Sequence, residues 1–226
     1  MPPNPLISYY LYDTTTPVDR NHPAWQQALP LSRHLTGKND TLSISHEDYF
    51  LTIRRFLEKN DFGLLTRALG QRLQKKVAAA DIREIGVCLA KHGEFYHPAR
   101  LEVSAGKQSA GFVLNVAVSE NGIQTLHEEY HSLKRLSDEF TPSFIPRVYG
   151  FDEIETAGHR KIPLFLGDWL EGYHEFHITG DPAADAANIR VWDGDANRAL
   201  LSTDQQGEIY RQAARILTYY SVSYTH

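Results

Sequence analysis

Two hydrophobic periods alternate along the chain, and each change of period marks a new element. Helical period opens at "SHEDYFLTIRRFLEKN", where Ser45 stands as an N-cap with Asp48 three residues on. Tyr49, Phe50, Ile53, Phe56 and Leu57 then share one face. "FGLLTRALGQRLQKKVAA" repeats the pattern through Leu64, Leu65, Ala68, Leu69 and Leu73, so a helical pair is expected. After Asp81 the period drops to two. Residues 82–90, 95–103 and 112–118 read as strands, separated by "KHG" and "AGKQSAG". Both separators are turn chemistry, which makes the three strands consecutive and antiparallel. "TLHEEYHSLKRLSDEF" returns to helical period, with a capping box from Thr125 and Glu128 and a stripe of Leu126, Tyr130, Leu133 and Leu136. "IPRVYGFDEI" and "KIPLFLGDWL" supply a fourth and a fifth strand around the polar turn "ETAGHR".

The flanks are less regular. Residues 1–40, rich in Pro, Thr, Asn and Asp, read as an extended arm in which "LISYYLYD" is either an added strand or an aromatic anchor. Beyond the break at Gly167 the chain is loop-rich, with residues 173–177 opening a short helix and "NIRVW" a strand-like run. A last helix opens at Ser202 or Thr203, with Ile209, Tyr210, Ala213, Ile216, Leu217 and Tyr220 on its buried face. The expected organisation is an arm over 1–40, a helical extension over 41–80, a sheet domain over 81–172, and an insertion with a long helix over 173–226. The fold class is α+β: a five-stranded antiparallel sheet with one packed helix, a helical N-terminal extension and a long C-terminal helix.

Composition narrows the classes of function. With 226 residues, 42% of them apolar, the chain can build a sizeable core. A net charge of −5 argues against nucleic-acid binding by bulk electrostatics. No apolar run approaches the ~20 residues of a membrane span, and the first residues lack the basic and apolar regions of a signal peptide. The lone Cys88 cannot form an intramolecular disulfide and fits a reducing compartment; mid-strand, it reads as a buried small apolar residue. A cytoplasmic protein with neither nucleic-acid nor membrane partners is expected.

Element order and local residues together resemble a known family. "FVLNVAVSE…LHEEYHSLKRL…FIPRVYGF…LFLGDWLEG" is similar to the strand, helix, "P-x-V-x-G" strand and hinge of protein-kinase-like folds, in the aminoglycoside-phosphotransferase and choline-kinase-like branch. The likeness runs from about Ile82 to Tyr220 and also extends to bacterial kinase-like proteins of unassigned function. It implies an N-terminal lobe binding ATP with Mg²⁺, with adenine held by main-chain groups of a linker at Asp168, Trp169 and Leu170. Asn115 matches the strand lysine that grips the phosphates, but an amide carries no charge and cannot replace that ammonium. Glu129 matches the helix glutamate that pairs with this lysine. Lacking the cation, it either takes another donor or faces solvent. Gly93 stands alone where such kinases carry a glycine-rich turn. It permits a tight turn whose N–H groups can face a phosphate, or a plain hairpin.

In that family the catalytic and metal-binding residues follow the large helix, and this sequence stops at His226, immediately after it. The resemblance therefore implies a nucleotide-side half that is inactive by itself. The alternative is a non-catalytic, pseudokinase-like binding or regulatory module. Either way, a protein partner or a second copy is expected over the surface a further lobe would meet. "HITGDPAADAANIRVWDGD" mimics a catalytic loop, but its spacing is too long and it precedes the long helix; it reads as a surface insertion. His174 and His177 lack the spacing of a zinc-protease motif and a third ligand, and read as polar-aromatic packing. Asp193 and Asp195 read as a turn, and His92 and His97 as surface residues.

Overall fold

A computed structural model describes residues 4–12, 14–29, 44–90, 96–140, 144–172, 175–181, 186–192 and 199–222. The chain divides into two compact units, Met1–Trp169 and Leu170–His226.

The first unit is built on a six-stranded sheet. Its strands are β1 (Leu6–Leu11), β2 (Ile82–Leu89), β3 (Tyr96–Ala105), β4 (Gln108–Ala117), β5 (Val148–Glu155) and β6 (Lys161–Asp168), in the spatial order β1-β2-β3-β4-β6-β5. The five strands expected from the period-two runs are present and antiparallel, with the β3–β4 turn tightened to Gly106 and Lys107. The sheet as a whole is mixed, because β1 joins β2 in parallel; of the two readings of "LISYYLYD", the added strand is the one the structure holds. Ile7, Tyr9 and Leu11 pair with Ile85, Val87 and Leu89, so β1 continues the inward alternation and covers the edge of β2. A parallel neighbour requires a long crossover, and the helical pair α1 (His46–Glu58) and α2 (Gly63–Leu73) lies within it.

These helices cover one face of the sheet. Ser45 caps α1 in a full capping box with Asp48. Tyr49, Phe50, Ile53, Leu65 and Leu69 share the principal core with Val87, Leu101, Phe112, Leu114 and Leu166. Tyr9, Trp25 and Phe50 form an aromatic cluster that ties the N-terminal segment to α1, with Trp25 and Phe50 stacked at 5.7 Å. Gly150 gives α2 its approach to β5, because a Cβ there would sit 2.7 Å from Leu64 Cδ1. His97, expected at the surface, is fully buried, and its carbonyl accepts a hydrogen bond from Tyr49 Oη at 3.0 Å. Cys88 is half-buried rather than buried, its thiol directed to the Tyr12 carbonyl.

The helix α3 (Glu120–Glu139) packs on the opposite face, against Ala117, Val148 and Phe165 through Leu126, Tyr130 and Leu133. Its N-cap, Ser119, lies six residues before the expected cap. Ser119 Oγ accepts from Gly122 N at 2.9 Å, which leaves Thr125 inside the helix and Glu128 bonded to Gln124. A serine in extended backbone just ahead of the apolar stripe outcompetes a threonine within it.

The second unit holds a three-stranded sheet, β7 (Glu175–Asp181), β8 (Ala186–Trp192) and β9 (Ala199–Leu200), followed by α4 (Thr203–Val222). Residues 175–177 are strand rather than the start of a helix, since β7 pairs with β8 along its whole length. Ser202 caps α4 reciprocally with Gln205. The stripe expected to be buried on α4 is largely open, with Tyr210 51% and Leu217 67% exposed.

Candidate functional site

The site residues named from the sequence are best located by the pleat of the sheet. One face carries Phe112, Leu114 and Val116 into the core under α1 and α2. The other carries Gly111, Val113 and Asn115 from β4, next to Glu102, Arg100 and Pro98 of β3 and to Gly167 and Phe165 of β6. The three β4 residues on this second face are half-buried. Packed at one end of the face is α3, and Trp169 stands at the other.

Asn115 lies between Pro98 and Phe165, close to α3. Glu129 is half-buried on that helix, and the Tyr96 hydroxyl of β3 is the neighbouring polar group that acts on its carboxyl. Burial raises the Glu129 carboxyl above its ordinary range, and the Tyr96 hydrogen bond lowers it in part. Burial also raises the Tyr96 phenol, with the Glu129 charge adding to the shift. Among the described residues no cation contributes at Glu129. The donor that sequence reasoning left unnamed is therefore a tyrosine at the start of β3. Its one signal in the sequence is its place two residues before Pro98, on the strand face that Asn115 shares.

Asp168 closes β6 and is held from three directions. Its carboxylate accepts from Tyr149 Oη at 2.6 Å and from Arg147 N at 3.3 Å, and lies 3.7 Å from the Arg72 guanidinium. Its own N–H donates to the Arg147 carbonyl at 2.9 Å. Burial, followed by the bond to Asp168, raises the Tyr149 phenol. The side chain thus serves the α2-facing side of the sheet, and its N–H is already used.

Trp169 continues the β6 alternation and lays its side chain across Gly111, where an added Cβ would lie 3.4 Å from Trp169 Cβ. The ring reaches the Arg100 guanidinium on β3, 5.5 Å from its centroid. An aromatic covering a cross-strand glycine stabilises a strand that glycine weakens. Leu170, the next residue, is 42% exposed. The structure brings Asn115, Glu129 and Trp169 to one face, with Asp168 anchored behind it. Gly93 and His174 lie outside the described residues, and of His177 only the strand position is described. Among the described residues no group of three or more His, Cys, Asp or Glu side chains is placed to hold a metal ion.

No protein family, curated protein or solved structure matches this chain.

Proposed function

We propose that this chain is a kinase-like module that binds an adenine nucleotide without transferring its phosphate. The base lies over Val113 and meets the Asp168 carbonyl and the Trp169 and Leu170 peptide groups. The Trp169 indole, spanning Gly111 to Arg100, bounds the seat at its outer end, and Asn115 faces the phosphates near α3. What supports the reading is element order: three antiparallel strands, one helix packed on the face that carries Asn115, two more strands, and a linker leaving the last of them. The observation that carries its non-catalytic side is the Glu129 carboxylate, neighboured by the Tyr96 hydroxyl where an active kinase holds a lysine. A neutral amide at 115 donates hydrogen bonds to a phosphate but does not offset its charge.

Calorimetric titration with ATP, with and without Mg²⁺, tests this. Weak saturable binding is expected in wild type. Asn115→Lys is expected to tighten it roughly ten- to hundredfold, since a hydrogen-bonded charge pair adds roughly 1.5–3 kcal/mol. Absence of heat in both proteins at millimolar ATP rejects the nucleotide reading. Binding in wild type with no gain in Asn115→Lys places the phosphates elsewhere.

A further inference from the structure

A second constellation lies away from this face, at the sheet edge formed by β5. A cleft of about 200 Å³ opens there between α2, the C-terminal half of α3 and the start of β5. Arg67 and Gln71 line it from α2, Lys134 and Ser137 from α3, and Arg147 and Tyr149 from the strand side. Its one carboxylate, Asp138, is paired with Lys134 on the same helix. The neighbouring carboxylate, Asp168, takes the Tyr149 hydroxyl and the Arg72 guanidinium. Among the described residues neither Arg67 nor the Arg147 guanidinium is in an ion pair with a carboxylate. The Arg147 charge nevertheless reaches the Tyr149 hydroxyl and offsets a part of the upward shift that burial and Asp168 cause there. A chain of net charge −5 thus concentrates three cations and one anion around a small concavity.

Guanidinium groups present forked donors matched to planar carboxylates and to phosphate oxygens, and pairs of them from separate elements favour a multiply charged oxoanion over a single carboxylate. The cleft is below the ~300–1,000 Å³ of sites that enclose whole drug-sized ligands. It has room for an oxoanion and a few attached atoms. We infer that this cleft binds a phosphate group, free or as a small phosphate monoester, between Arg67 and Arg147, with Gln71 and Ser137 as flanking hydrogen-bond partners. The site is distinct from the proposed base seat: it opens at the β5 edge and shares no residue with the Val113 and Asn115 face, although its Arg147 and Tyr149 also hold Asp168 at the end of β6.

The test is amide chemical-shift mapping with inorganic phosphate and with glycerol phosphate, against sodium chloride at matched ionic strength. Saturable shifts are expected around Arg67, Gln71, Ser137 and Tyr149 with both phosphates and not with chloride. A stronger response to glycerol phosphate assigns the monoester, and a stronger response to inorganic phosphate assigns the free ion. The double variant Arg67→Gln/Arg147→Gln is expected to lose at least tenfold in affinity. Arg67→Lys/Arg147→Lys, which keeps charge and lacks the fork, is expected to fall between. Equal shifts with chloride, or phosphate binding unchanged in a double variant that melts like wild type, overturns the proposal. If the Gln variant does not fold, unchanged binding in the Lys variant overturns it equally.

Discussion

Glu129 is the half-buried carboxyl beside the candidate face, with Tyr96 acting on it. Because burial raises the Glu129 carboxyl in the folded protein, folding favours its protonated form. The associated stability is fully present below the unfolded carboxyl pKa, about 4.3. It is lost as pH rises through the higher folded value. Glu129→Gln is expected to flatten the stability profile across that window in urea unfolding at a series of pH values; an unchanged slope would place the titration on another group. Tyr96→Phe removes the influence that holds the carboxyl down. It is expected to move the Glu129 pKa further up, as read by carboxyl carbon shifts, and to cost about 1–3 kcal/mol at neutral pH. Asn115 was legible as an uncharged polar residue on the β4 face away from the principal core, because strand alternation alone fixes its face. Tyr96 was not, since its role arises only when β3 is laid beside α3.

Elements follow period wherever one face is buried, and depart from it where an end or an edge is decided by something else. Ser45 with Asp48, and the alternations of β3, β4 and β6, could be read directly from local chemistry. The early start of α3 turned on the competition between Ser119 and Thr125, in which backbone conformation ahead of the helix is decisive. The β1 pairing is a long-range edge effect, and the "LISYYLYD" alternation is compatible with an anchor as well as with a strand. At the end of α2, Gln74 takes φ 53° and Lys75 N bonds the Gly70 carbonyl at 3.1 Å. A Cβ on Gly70 would stand 2.9 Å from the Lys75 carbonyl oxygen. In an open helix, Gly to Ala gains up to about 1 kcal/mol. Here Gly70→Ala is expected to cost about 1–3 kcal/mol, because the fixed turn must open. A melting temperature at or above wild type would show that the turn yields freely.

The whole molecule divides into two compact units, the first ending at Trp169 and the second beginning at Leu170. No helix among the described residues is long and apolar enough to cross a membrane. The openness of Leu217 and Tyr210 on α4 could not be foreseen from their helical spacing, which encodes a face and not what covers it. Leu217→Glu is therefore expected to change the stability of this chain by no more than about 0.5 kcal/mol. A large loss of stability, measured by denaturant unfolding at several protein concentrations, would show that another surface covers this face. The central claim is that an adenine nucleotide occupies the sheet face between Trp169 and α3. Amide chemical-shift mapping with ATP tests it most directly. The account predicts saturable shifts at Val113, Asn115, Trp169 and Leu170. Shifts confined to Arg67, Gln71 and Tyr149, or no saturable change at millimolar ATP, would contradict it.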